Sequence, residues 1–208
     1  QKEVRRGIAA GRTIATRAHA EPNGRWDLAA IEARARAEGG GYVLDGKKAW
    51  VLDGALADLI LVAARTASGG LELFRVDPKA KGLTRTAVPA LDLTRKLAHL
   101  ELRGVPATKI SRGGDQTKAL ERALALTVAA LAAEQVGGAQ KCLEMATEYA
   151  KTRLQFGRPI GSYQGIKHKC AEMLVAVEFA KSAAYAAYFA AAEDDPDFLE
   201  SAALAKAY

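Results

Sequence analysis

The stretch Arg153-Leu-Gln-Phe-Gly-Arg-Pro-Ile-Gly-Ser-Tyr-Gln164 separates two long Ala- and Leu-rich segments that would otherwise fuse into one helix. Gly157, Pro159 and Gly161 stop the first helix, and the residue before a proline is biased away from the α region, so Arg158 is expected in extended backbone. Between Tyr149 and Ala171 the chain carries five basic residues (Lys151, Arg153, Arg158, Lys167, Lys169) and no Asp or Glu. A helix-break-helix corner with an uncompensated positive field is expected to take an anion. Arg153 offers a planar fork of donors for phosphate oxygens, Phe156 an apolar or stacking surface, and Gln164 a paired donor and acceptor.

Working outward, Lys118 to Thr152 lacks proline and reads as one helix, and a second runs from Tyr163 to Ala192. Gly137-Gly138 costs roughly 1 kcal/mol per glycine against alanine, which predicts a close helix-helix approach there. Asp194-Asp-Pro-Asp197 ends the second helix, with Asp197 as a possible cap for a third that reaches Tyr208. Residues 1–112 read as β. Gly11 to Ala20 is a strand entering the turn Glu21-Pro-Asn-Gly24, and Ile31 to Glu38 alternates apolar and charged residues with period two. Tyr42 to Val51 is expected to be a hairpin around Asp45-Gly46. Leu59 to Ala64 is apolar without alternation, as in a strand covered on both faces. Leu71 to Val76, Leu83 to Val88 and Lys96 to Leu102 complete an antiparallel set. The expected class is therefore α+β, an antiparallel β-sandwich or barrel over 1–112 followed by an up-down helical bundle over 113–208.

The chain has 208 residues, half of them hydrophobic, enough for a substantial core. A net charge of +6 invites a nucleic-acid partner, but outside the corner the basic residues are interleaved with acids and only 6% of residues are aromatic, so none is expected. No apolar run is long enough to span a membrane. Cys142 and Cys170 read as buried reduced thiols, which points to the cytoplasm. The chain lacks a Gly-rich phosphate loop, an HExxH and a CxxC, and its three histidines are scattered, so no metal site is expected. His99 falls on the polar side of the alternation Ala98, Leu100, Leu102 and should face solvent. His168 lies in the basic corner and should tune its charge.

Tyr149-Ala-Lys-Thr-Arg-Leu-Gln-Phe-Gly-Arg-Pro-Ile-Gly-Ser-Tyr-Gln164, followed by His168-Lys-Cys-Ala-Glu-Met173, resembles the YAxxRxxFGxPIxxxQ…xxLAxM signature of acyl-CoA dehydrogenases. The β half is similar to two further family loops. Ala18-His-Ala-Glu-Pro-Asn-Gly-Arg-Trp-Asp27 resembles x-x-T-E-P-x-x-G-S-D, and Lys48-Ala-Trp-Val-Leu-Asp-Gly54 resembles K-x-W-I-T-N-G. Glu21, Pro22, Asp27, Lys48, Trp50 and Gly54 fit, whereas Ala20, Arg25-Trp26 and Leu52 stand where the family has Thr, Gly-Ser and Thr.

The resemblance implies an FAD-dependent flavoprotein. It desaturates an acyl-CoA substrate to a trans-2-enoyl-CoA and passes electrons to an electron-transfer flavoprotein, in a homo- or hetero-oligomer, dimer or tetramer. It implies FAD contacts from Arg153, Gln155, Phe156 and Gln164 across a subunit interface, and from Ala20, Trp50 and Leu52 beside the flavin ring. For Trp50, packing inside the sandwich is the open alternative. It also implies that an N-terminal helical domain and further C-terminal helices belong to the whole protein. The catalytic base is not identified. Counting back from Arg153, the family's early position falls on Thr127 and Val128, and the tempting Glu121-Arg122 lies about two turns too early and reads as a solvated pair. The departures at Ala20, Arg25, Trp26, Leu52 and Val128 leave a second function open, that of a non-catalytic partner completing another subunit's FAD site.

Overall fold

The computed structural model describes residues 2–111 and 114–208. The expected boundary between residues 112 and 113 lies outside the described residues. The chain divides into two compact units, one ending at Lys118 and the other spanning Ala119–Tyr208.

The first unit holds α1 (Lys2–Ala9), β1 (Ala15–Ala18), β2 (Arg34–Glu38), β3 (Gly41–Leu52), β4 (Leu59–Thr66), β5 (Leu71–Val76), β6 (Leu83–Val88) and β7 (Leu97–Lys109). The all-β reading missed α1. Its Lys, Glu, Arg and Ala favour helix, but it buries no residue and so carries no apolar stripe into a core. The pairings run β4-β2-β3-β7-β5 and return to β4, closing a barrel-like ring, with β1 beside β4 and β6 beside β7. β1 and β2 pair parallel with β4, while the other pairings are antiparallel.

The expected hairpin at Asp45-Gly46 is instead the middle of one continuous strand. The β3–β7 register slips between Leu44 and Gly46, and the Asp45 carboxylate accepts the Gly104 N–H at 2.7 Å, so the dipeptide makes a bulge. Inside the ring Ala33, Ala35, Leu44, Ile60, Val62, Phe74, Leu100 and Val105 are buried together. Each large side chain there contributes on the order of 2 kcal/mol by leaving water. Period-two burial at Ala33 and Ala35 against exposed Arg34 and Arg36 follows the sequence alternation.

Beyond the first unit the chain forms α2 (Thr117–Thr152, its first residues still in the first unit), β8 (Leu154–Gln155), β9 (Arg158–Pro159), α3 (Gln164–Ala192) and α4 (Phe198–Ala207). The core of the second unit is alanine. Ala125, Ala129, Ala132, Ala187, Ala202 and Ala205 pack around Phe198. Arg122 is no solvated partner of Glu121: it pairs with Asp194, donates to the Ala191 carbonyl at 3.2 Å and lies over the Phe198 ring, tying the start of α2 to the α3–α4 turn. Asp197 occupies the cap position of α4 without a side-chain cap bond, and the Asp195 carboxylate accepts the Asp197 N–H at 2.8 Å.

Two further expectations are corrected. Gly137 and Gly138 are exposed, and a Cβ built on either meets nothing within 4 Å, so among the described residues no other helix approaches them closely. Cys142 is exposed and Cys170 only half-buried, because both fall outside the alanine seam. Among the described residues no helix is long and apolar enough to cross a membrane.

Candidate functional site

The expected site residues fall into two groups, one in each unit. The first group is the corner between α2 and α3. There β8 and β9 form a hairpin in which Gln155 pairs with Arg158 and Phe156-Gly157 make the turn. Both turn residues have positive φ, 52° at Phe156 and 82° at Gly157, the pattern of a type I′ turn. Glycine adopts this freely, whereas a phenylalanine there stores about 1–3 kcal/mol of backbone strain.

The surroundings hold that strain in place. Tyr163 Oη donates to the Gln155 carbonyl at 3.1 Å, its ring meets Phe156 edge-on at 6.4 Å, and the Arg158 guanidinium lies 4.1 Å over it. Phe156 is left 93% exposed. Gly161 seats the corner on α2, since a Cβ there would lie 2.8 Å from the Ala150 carbonyl oxygen.

The electrostatics sharpen the sequence reading. Lys151 pairs with Glu148 at 3.3 Å and Arg158 is occupied by Tyr163. Among the described residues Arg153, Lys167 and Lys169 have no acidic partner. The first turn of α3 contains no acid, and its cap residue Tyr163 makes no side-chain cap bond. Unsatisfied amides at a helix start and free basic side chains together favour an anion. Gln164 opens this helix with its side chain exposed, while Gln155 Nε2 folds back onto the Leu154 carbonyl at 2.9 Å.

The second group lies where β1 runs beside β3. Thr16 Oγ1 donates to the Leu52 carbonyl at 2.5 Å and the Ala49 N–H to the Ala20 carbonyl at 2.9 Å, which brings Ala20, Trp50 and Leu52 together. Trp50 does not pack inside the barrel. It is 55% exposed with φ 55°, in a bulge where Ala49 and Trp50 face His99 between the paired positions Lys48–Leu100 and Val51–Ala98. His99 is half-buried rather than solvent-facing, with its ring edge-on to the Trp50 indole at 4.9 Å and its Nδ1 buried without a partner. The bulge re-aims both side chains, which strict alternation could not foresee.

Beneath this face Lys48 is fully buried and donates to Glu21 at 2.6 Å and to the His19 carbonyl at 3.2 Å. Glu21 also accepts the backbone N–H groups of Glu32 and Ala33, at 2.8 and 3.0 Å. Burial lowers the Lys48 pKa, opposed by the hydrogen bond and charge of Glu21. The same pair explains why Glu and Lys occupy these loop positions. They pin the loop to β3 and need not touch a ligand.

Burial, with the nearby charges of Arg17 and Lys48, pushes the His19 pKa down to about 4. Between the unfolded value near 6.5 and the folded value the unfolded chain binds the extra proton, so stability is full above pH 6.5 and falls as pH drops towards 4. The upper bound is about 3 kcal/mol, reduced by partial solvent contact. In His19→Leu, urea midpoints between pH 7 and 4.5 should lose this component of the slope.

No base stands on α2 at the expected place. Thr127 donates its hydroxyl to the Ala123 carbonyl at 2.9 Å, and Glu121 is exposed one residue from the Arg122 clamp.

Residues 16–105 match the acyl-CoA dehydrogenase middle domain and residues 117–208 the acyl-CoA dehydrogenase C-terminal domain. The chain is 35% identical over 154 residues to acyl-CoA dehydrogenase IpdE2 of Mycolicibacterium smegmatis, covering 68% of this chain and 44% of that protein. To the mitochondrial 2-methylacyl-CoA dehydrogenase of Solanum tuberosum it is 32% identical over 196 residues, 86% of this chain and 46% of that protein. A glutaryl-coenzyme A dehydrogenase in complex with glutaryl-CoA superposes with a TM-score of 0.86 at 30% identity, over 96% of this chain and 53% of that chain. The chain spans about half the length of the curated relatives it matches.

Proposed function

Because the chain belongs to the acyl-CoA dehydrogenase family, we propose that it is part of an FAD-dependent acyl-CoA dehydrogenase that converts an acyl-CoA thioester to its trans-2-enoyl-CoA. Electron-transfer flavoprotein is the proposed electron acceptor and a dimer or tetramer the proposed assembly. FAD, when bound, supplies the hydride acceptor for the substrate β-carbon.

The residues present fit that group. Arg153, which has no acidic partner among the described residues, would hold the pyrophosphate across a subunit interface, with the start of α3, whose cap residue makes no side-chain cap bond, adding backbone donors. Phe156, presented by its strained turn, would cover an apolar part of the cofactor, with Gln155 and Gln164 beside it. On the β face Trp50 and Leu52 would form an apolar wall with Ala20. Neither Ala20 nor Leu52 has a side-chain donor, so polar contacts there fall to the backbone.

The carrying observation is the corner, a basic element with an exposed Phe156 and an Arg153 that has no acidic partner among the described residues. Its test is Arg153→Ala in the full-length protein. Removal of a charge-assisted contact worth roughly 1.5–3 kcal/mol should weaken FAD retention about ten- to a hundredfold, and equal retention by mutant and wild type would refute the role.

A second reading, a non-catalytic partner that completes another subunit's site, is favoured by Thr127 and Val128 at the base position together with Ala20 and Leu52. In that case the same preparation should contain fewer than one FAD per chain of this type. One FAD per chain in an active homo-oligomer would exclude it.

A further inference from the structure

Among the described residues four positions other than glycine have positive φ, Trp50, Asp53, Phe156 and Asp194, all between 52° and 55°. Aspartate tolerates this region because its short side chain bonds locally to the backbone, whereas a bulky aromatic residue there is strained. The two aromatic positions are also exposed, so neither ring is held by burial in a core. Each needs a brace. For Phe156 it is Tyr163, whose ring meets it edge-on.

For Trp50 the ring in the corresponding place is His99. Ala98 and Leu100 are buried inside the barrel, so His99 stands on the outer side of β7. It faces the Ala49-Trp50 bulge across the strand, and Thr86 of β6 is its paired neighbour on the opposite flank. The imidazole lies 4.9 Å from the indole at an interplanar angle of 67°, an edge-to-face pair in contact range. A bulge leaves one residue out of the ladder, so side-chain packing has to fix where the indole points. The same imidazole carries a buried Nδ1 without a partner, a cost that a phenyl or aliphatic side chain would avoid. Backbone strain and an unsatisfied polar atom thus meet beside one exposed ring. Costs of this kind gather where a protein holds a group ready for a ligand.

We propose that His99 is a positioning residue: its ring braces Trp50 and sets the angle at which the indole meets the ligand that covers this face. The role is exercised through Trp50 and needs no contact between His99 and the ligand. The inference rests on the acyl-CoA dehydrogenase reading for the identity of that ligand, FAD.

Full-length wild type, His99→Ala and His99→Phe are labelled with fluorotryptophan, the Trp50 fluorine signal is assigned by its loss in Trp50→Phe, and the FAD dissociation constant of each is measured. In His99→Ala the Trp50 signal should sharpen and move towards that of free fluorotryptophan, and FAD should bind about two- to tenfold more weakly, the factor an aromatic pair supplies. His99→Phe keeps an aromatic edge without the unpartnered nitrogen, so it should restore both readings. If His99→Ala does not fold, His99→Leu, which fills the space without a ring, is read in its place.

A Trp50 signal unchanged in His99→Ala overturns the brace, and so does a His99→Phe variant as loose as His99→Ala. A signal that moves while FAD binds as tightly as in wild type overturns the positioning role. A wild type that binds no FAD, but whose Trp50 signal responds to His99→Ala and is restored by His99→Phe, would sink the dehydrogenase reading and keep the brace.

Discussion

Glu21→Ala is expected to cost about 3–5 kcal/mol, because it leaves the Lys48 ammonium in the interior with only the His19 carbonyl at 3.2 Å. The substitution also strips the acceptor from two backbone N–H groups, those of Glu32 and Ala33. Urea denaturation of the full-length protein, followed through Trp26 and Trp50 emission, measures the loss. Glu21→Met combined with Lys48→Met should recover much of it, since the double change removes the buried charge together with its counter-ion. A double variant as unstable as the single would mean that Glu21 acts through the backbone bonds and not through the ion pair.

Gly161→Val should be nearly as damaging, at about 3 kcal/mol. Even a bare Cβ would sit 2.8 Å from the Ala150 carbonyl oxygen and 3.1 Å from its carbon, and a helix backbone cannot rotate away as a side chain can. The corner would lift from the end of α2 and carry Arg153 and the hairpin with it. Two measurements check this, the helical melting transition and FAD retention. The reading fails if Gly161→Val keeps wild-type stability, and the positioning role fails if stability falls while FAD retention per folded protein does not.

These two sites also show what one sequence can reveal. The corner was legible because its determinants are contiguous. Gly157, Pro159 and Gly161 break the helix locally, and the charge imbalance needs no knowledge of packing. The β face was not legible, because it is assembled by a contact between residues 36 positions apart, Thr16 and Leu52. The bulges at Asp45-Gly46 and Ala49-Trp50 depend on the β7 partner, so local turn preference misread the first and strict alternation hid the second.

Lys48 shows a different limit. A lysine is ordinarily assigned to the surface, and only the arrival of Glu21 from another loop makes its burial tolerable. The fold class needed no such partners. Period-two runs and long proline-free alanine segments announced a sheet followed by helices.

The alanine seam around Phe198 has a calorimetric consequence. An alanine loses no rotamer freedom on ordering and removes little apolar area from water. The second unit should therefore fold with a smaller heat-capacity increment per residue than the barrel, whose interior holds Phe74, Leu44, Ile60 and Leu100. Its stability should vary less steeply with temperature, so cooling should weaken the barrel more than the helices.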